Sequence, residues 1–190
     1  MNEVLILAKL SIHPLDESTA ERYYTQIQPV LNDLPGFLGH GLWRGTAGNG
    51  AHLAVYQYKD YESAEAGLKA ISGQRSFTSA QNVVSAPADV VRCTTFCERG
   101  IRISESPVGS FLSVSSRISD PGYGPDLAEE LERIFDELQI IDGFLGSYVG
   151  VNETLDEEVI GLVAWSTDEA FQKSLPKRLP YAVDLFYKVI

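Results

Sequence analysis

Three side chains suited to chemistry stand close together in AHLAVYQY, residues 51–58: His52, Tyr56 and Tyr58. In an extended strand alternate residues share a face, so all three project the same way. A histidine, with its ordinary pKa near ~6.5, is suited to take a proton from a substrate hydroxyl. Arg44, in the segment GLWRG, is suited to hold a substrate anion or a developing oxyanion. Trp43 beside it, Tyr58 and the distant Trp165 offer flat faces on which a planar molecule stacks. The candidate catalytic residues are therefore His52 and Arg44, and the candidate binding residues are Tyr56, Tyr58, Trp43 and Trp165. Each also has a plain structural reading. Aromatics fill cores, an arginine at a hairpin is commonly solvated, and a histidine near a strand's start suits an interface. His13 and His40 read as surface groups near strand ends.

Other chemistries find less support. No two of the three histidines stand two or four residues apart, so spacing gives no metal site. Cys93 and Cys97 lie four apart in a strand-like run, about 13 Å at ~3.3 Å per residue, too far to bridge each other. They read as buried strand residues. The glycines of GHGLWRGTAGNG precede no helix at the proper distance, so they read as hairpin turns and not as a phosphate loop. No serine, histidine and acid fall into a nucleophilic arrangement. Residues 1–107 carry 9 basic and 11 acidic side chains and the remainder 6 and 15, so the excess of negative charge sits in the second part. That balance disfavours nucleic acid, whose binding rests on basic residues neutralising phosphates. The acidic run Asp126–Glu137 reads as a solvated helix face. No apolar run approaches the ~20 residues of a membrane span. The opening MNEVLILAKLSIHP has a lysine inside its apolar stretch and reads as a first strand, not a leader. A reducing cytoplasm is the expected setting.

What positions the candidate residues is a repeat. Gly-Phe-Leu-Gly occurs at Gly36–Gly39 and again at Gly143–Gly146. A shift of 107 residues keeps apolar character in register without a gap from residue 4 to about residue 70. Leu5 falls on Leu112, Leu7 on Val114, Tyr24 on Leu131, Ile27 on Ile134, Leu31 on Leu138, Leu53 on Ile160, Val55 on Leu162 and Tyr58 on Trp165. Within the unit, VLILAKLSI is a strand. Asp16 to Leu34 has helical spacing, with Asp16 or Ser18 as cap. Pro35-Gly36 stops that helix. FLGHGLWRG and AHLAVYQY form a hairpin, YESAEAGLKAIS is a second helix and ADVVRCTTF a fourth strand. The second copy runs VGSFLSVSSRI, GPDLAEELERIFDELQII, GFLGSYVGVN, EVIGLVAW, TDEAFQKSL with Thr167 as cap, and YAVDLFYKVI. The stretch Ser72–Ala88 precedes the fourth strand in the first copy, and the shorter Pro176–Pro180 does so in the second. The stretch Ser72–Ala88 is compatible with a lid, a dimer arm or a short helix. The expected fold is α+β: two tandem ferredoxin-like β-α-β-β-α-β units with antiparallel sheets, over residues 1–100 and 108–190. Each sheet bears helices on one face, and the other copy covers the opposite face.

Taken together, LPGFLGHGLWR with YQYKDYESAEAGL, and DGFLGSYVG with VIGLVAWSTDEAF, resemble the antibiotic-biosynthesis monooxygenase-like family. The family's habit is Pro-Gly-Phe after a helix, a hairpin, then Trp-x-Ser/Thr-x-Glu-Ala-Leu/Phe, which Trp165–Phe171 matches. Tyr58 takes the tryptophan's place in the first unit. The resemblance implies a dimeric α+β barrel, here a pseudo-dimer made by one chain, which leaves open whether fused barrels pair again. It implies a cofactor-independent monooxygenase acting on a small aromatic, phenol or polyketide-like molecule, with no cofactor. The alternative is a non-catalytic or stress-responsive barrel that binds a small molecule. Haem degraders of the family use an Asn on the first strand, a Trp, and a His on the second helix. Here those strands offer Ala8 and Lys9 or Ser115 and Ser116, and the His position falls near Gly67 or Ser174. Only Trp165 matches, which argues against haem.

Overall fold

The structure is a computed structural model that describes residues 2–176 and 181–190. Eight strands and five helices form among those residues. In the first half they are β1 (Val4–Ser11), α1 (Glu17–Asn32), β2 (Phe37–Gly45), β3 (Ala51–Tyr58), α2 (Tyr61–Ser72), α3 (Arg75–Gln81) and β4 (Asp89–Gly100). In the second half they are β5 (Phe111–Ile118), α4 (Gly124–Leu138), β6 (Phe144–Asn152), β7 (Leu155–Trp165), α5 (Asp168–Ser174) and β8 (Asp184–Lys188). The offset of 107 recurs in the bounds of β1 and β5 and of β2 and β6. It recurs in register too: Val4 faces Tyr58 across β1–β3, and Phe111 faces Trp165 across β5–β7.

The strands close into one barrel in the order β1-β3-β2-β8-β5-β7-β6-β4. The two sheets therefore do more than cover each other, as the sequence suggests; they join at both edges. β8 pairs with β5 and also with β2, where Trp43 faces Lys188. β4 pairs with β1 and then, from Cys93 to Gly100, with β6. This second partnership is why β4 runs four residues past the expected end of the strand at Phe96. β8 is shorter than the sequence suggests, and of the connection before it residues 177–180 lie outside the described residues.

Alternation along the strands sorts apolar residues into an interior and an outer face. Leu5, Leu7, Leu53, Val55, Leu112, Val114, Ile160 and Leu162 meet inside the barrel. Ile6, Ala8, Ala54 and Tyr56 face outward beneath α1, α2 and α3, while Val159 and Val163 do so beneath α4 and α5. At one end the interior is polar. Gln57, fully buried, donates to Glu3 at 2.5 Å and to Tyr148 at 2.8 Å, and accepts from the Ser104 hydroxyl at 3.0 Å. Lys188 donates to the carbonyls of Ser104 and Ser106, both at 2.7 Å. Burial lowers its ammonium pKa to about 8.

Helix ends follow local chemistry. Gly36 and Gly143 adopt φ of 78° and 94°, the left-handed stop that the twin Gly-Phe-Leu-Gly requires. A Cβ at Gly36 would stand 2.0 Å from the Ser63 hydroxyl. Thr167 caps α5 through the Ala170 N–H as expected, whereas Asp16 occupies the cap position of α1 without a side-chain bond. The stretch 72–88 holds the short helix α3, packed on α1, and a strap tied to β1 by the Ser85 N–H on the Ser11 carbonyl at 2.7 Å. The acidic side chains of α4 are mostly exposed, as their charge requires. Cys93 is fully buried but Cys97 only partly, because a bulge follows Thr95; both thiols are free. No described helix is long and apolar enough to cross a membrane.

Leu162 is fully buried in the interior that both halves share. Replacing it by Ala is expected to cost about 2–5 kcal/mol, read as a lowered midpoint in urea, with a single transition for the whole chain.

Candidate functional site

Each outer face holds a cavity between sheet and helices. The one in the first half has a volume of about 400 Å³, within the range of small-molecule sites. Its floor is Ile6, Ala8 and Tyr56, its walls come from Tyr24 and Ile71, and its roof is Phe77 with the strap from Val84 to Ala88. α1 buries Ala20, Tyr24, Ile27 and Leu31 at helical spacing, which aims Tyr24 at the sheet. Ala8 leaves room where its β-strand neighbours Ile6 and Leu10 fill space. No charged side chain lines this cavity among the described residues.

The polar groups at its floor are short of partners. Tyr56 is 3% exposed, and among the described residues the group near enough to pair with its hydroxyl is the Tyr24 phenol, at less than full hydrogen-bond geometry. Burial holds its pKa well above the ordinary phenol value, and the nearby hydroxyls of Tyr24 and Tyr58 add to the rise. Tyr24 is pushed up to about 12, again by burial. Behind Tyr56, directly across the strand pair, His40 stacks on its ring at 5.9 Å and 17°. His40 is 6% exposed, not a surface group as the sequence suggests: its place is the middle of β2, on the helix-covered face. Among the described residues, the Tyr24 backbone is the group that approaches its ring nitrogens, short of full hydrogen-bond geometry. Burial lowers its pKa to about 4, opposed by hydrogen bonding from the Tyr24 backbone and helped by the Lys188 charge. At neutral pH the whole group is uncharged, and its tyrosine hydroxyls keep their protons.

The remaining candidates are not brought to this floor. His52 shares the face of Tyr56 but lies four residues nearer the hairpin, 1% exposed, with Nδ1 3.0 Å from the Gly50 carbonyl. Burial lowers its pKa. Arg44 stands opposite it and is held by Glu17 at 3.1 Å and Glu21 at 2.6 Å, so its charge is already matched within the protein. Tyr58 is fully buried against Gly67, where a Cβ would come within 2.4 Å of its ring, and meets Phe37 edge-on. That packing leaves no room for a side chain at Gly67. Trp43 points the other way, into the barrel interior, beside Lys188.

Trp165 lies in the corresponding cavity of the second half, of about 450 Å³. Its Nε1–H donates to the Ser113 hydroxyl at 3.0 Å, and Phe144 meets its ring edge-on. Ser115 and Ser174, two of the positions read against the haem pattern, line this cavity, as Ala8 lines the first. No histidine or cysteine is among the described residues lining either one.

Sequence reasoning missed Tyr24 and His40. The signal for Tyr24 was present: it stands where the second copy has Leu131, a polar departure inside an apolar stripe. For His40 the signal was the hairpin register, which sets it opposite Tyr56.

Three solved structures of this shape show where the fold stands. One from Fusobacterium nucleatum, named a putative monooxygenase, superposes with a TM-score of 0.80 at 10% identity, over 100% of this chain and 93% of that one. Another from Lactobacillus acidophilus, also so named, gives 0.72 at 12% identity over 99% and 94%. An anthrone oxidase-like protein gives 0.67 at 12% identity over 99% and 92%. No family model matches the sequence, and no curated protein does. The chain has the fold of the monooxygenase-like α+β barrels, a pseudo-dimer built from a single polypeptide. The resemblance read from its motifs holds at the level of that fold.

The His40 ring makes a pH prediction. Its pKa falls from 6.5 unfolded to about 4 folded, so the folded state resists a proton that the unfolded chain accepts. Its stabilising effect is complete above pH 6.5 and is lost as pH falls towards 4. That loss amounts to about 3 kcal/mol. Urea titrations across this window should show a shallower decline for His40→Phe than for the unchanged protein; parallel curves would contradict the assignment.

Proposed function

We propose that the first-half cavity binds a small aromatic ketone or phenol as its oxyanion and oxidises it with dioxygen, without a bound cofactor. The observation that carries this reading is the Tyr56 hydroxyl: buried, lining an apolar cavity, and with no close polar neighbour among the described residues but the Tyr24 phenol. Because burial keeps both phenols protonated, they offer O–H donors to an oxygen that develops negative charge, in a site where water is scarce. Among the described residues, the lining holds no carboxylate or histidine to act as base. The substrate must therefore be one whose own acidity is enough once its anion is held, as with an enolisable benzylic ketone. Such an anion gives electrons to dioxygen directly. The CH₂ carbon becomes C=O, one oxygen atom enters the product, and the other leaves as water with the two hydrogens. Atoms and electrons balance without a further reductant. The name of the anthrone oxidase-like neighbour is of the same class and supports the choice.

The uncharged lining also favours a second reading, in which the cavity only holds such a molecule. Dioxygen uptake separates the two. With anthrone as the probe, the protein is expected to accelerate uptake, and Tyr56→Phe to lower kcat by about ten- to a thousandfold with a smaller change in KM. Binding of anthrone without uptake would leave the second reading; uptake unchanged by Tyr56→Phe would overturn the role of the hydroxyl.

A further inference from the structure

The first-half cavity is covered by a piece of chain, within residues 72–88, whose counterpart in the second copy is shorter. The last part of this piece, the strap from Val84 to Ala88, lines the cavity together with Leu10 of β1. Val84 stands opposite Ile12, and the Ser85 N–H donates to the Ser11 carbonyl at 2.7 Å, so Ser85 lies opposite Ser11. β4 then begins with Asp89 opposite Lys9. Between these two pairs, Leu10 alone on β1 faces Ala86, Pro87 and Ala88 on the strap. The strap must therefore arch away from β1 above Leu10. Pro87 suits the arch: its nitrogen has no hydrogen to give to a ladder, and it holds the residue before it extended.

The arch is held lightly, and its surroundings firmly. Ser85, Ala86, Pro87 and Ala88 are all exposed, and alanine and proline offer little apolar area to bind the arch down. Before the strap, α3 packs on α1 and buries Ala80. After it, β4 belongs to the closed barrel. The other sides of the cavity are strands of that barrel, with Ile6 and Tyr56 buried, and helices fixed by Tyr24 and Ile71. Widening the cavity there means breaking the barrel's ladders or lifting a helix from its buried face. Widening it at the arch means releasing the Ser85 hydrogen bond and moving small side chains. Local opening takes the least protected route.

We propose that residues 84–88 are a lid on the first-half cavity, which swings off Leu10 to admit a flat aromatic molecule and settles back over it. The inference deepens the reading of this cavity as the ligand site and rests on it. Both positions of the lid have a use. Open, it lets a rigid ring system pass. Closed, it keeps water from the oxygen held at Tyr56, where a donated hydrogen bond counts for most. The lid governs how fast the molecule enters and leaves. How tightly it is held is set by the floor and walls, which do not move.

Ser11 and Ser85 make the test possible. Both are exposed, and residues paired as they are stand about 5.5 Å apart at Cα, within reach of a disulfide. The probe is 2-naphthol under argon, followed by its own emission, so that binding is read without oxidation. In the oxidised double variant Ser11→Cys/Ser85→Cys, entry and exit should each slow by at least about tenfold, while affinity changes less than about threefold. Dithiothreitol should restore both rates. The single variants, which control for Cys93 and Cys97, should behave as the unchanged protein does. Ala8→Phe fills the floor and should abolish the binding, which assigns it to this cavity. Without ligand, the Ser85 amide should be about a hundredfold less protected from hydrogen exchange than that of Ile12, which donates to the Gly50 carbonyl at 2.8 Å. Adding 2-naphthol should raise the protection of Ser85. Equal protection of Ser85 and Ile12, unchanged rates in the oxidised variant, or no binding that depends on Ala8 would overturn the lid. Dioxygen uptake judges the oxidation separately: slowed entry and exit without any uptake from anthrone would keep the lid over a cavity that only binds.

Discussion

Closure of the barrel is the constraint on which everything else rests. β4 and β8 each hydrogen-bond to a strand of the other half, so neither half has a free sheet edge at those places. Unpaired edge groups exposed to water invite association with other chains, and a closed sheet removes them. The same closure puts Leu5, Leu53, Leu112 and Leu162 in one interior that neither half could dry alone. It also frees the outer faces. Once the inner face is satisfied by the partner half, the helices need only lie over the outer face, and they can leave space between themselves and the strands.

That space is where the two halves diverge. Helix and strand positions are kept, so the cavities are of similar size and place, yet the polar atoms have moved from α1 and β3 in one to β5 in the other. The first half gains a pair of high-pKa phenols against a neutral histidine; the second gains serine hydroxyls against a tryptophan. A shared backbone geometry thus carries two differently furnished cavities. At the polar end of the barrel interior, Gln57 is occupied with Glu3, Tyr148 and Ser104, and Lys188 with two carbonyls.

Much of this was legible in the residues. The twin Gly-Phe-Leu-Gly and the apolar register located every strand of the first three in each copy, and the inward and outward sets of AHLAVYQY are as its alternation implies. Tyr56 and Trp165 both line cavities, whereas Tyr58 is packed against Gly67. What stayed hidden depends on non-local pairing. Nothing near Cys97 in the chain reveals that β4 continues onto β6. Nothing near His40 reveals that helices cover it. Arg44 shows the same limit: its role is fixed by Glu17 and Glu21 on α1, which the hairpin sequence does not announce.

The account centres on one statement, that an oxyanion is held at the first-half floor by Tyr56. A crystal structure of the protein soaked with anthrone tests it most directly. The account predicts density for the ligand under α3 and the strap, with its oxygen within hydrogen-bond distance of the Tyr56 hydroxyl. Ligand density confined to the second-half cavity, or seated in the first with its oxygen turned away from Tyr56, would contradict it.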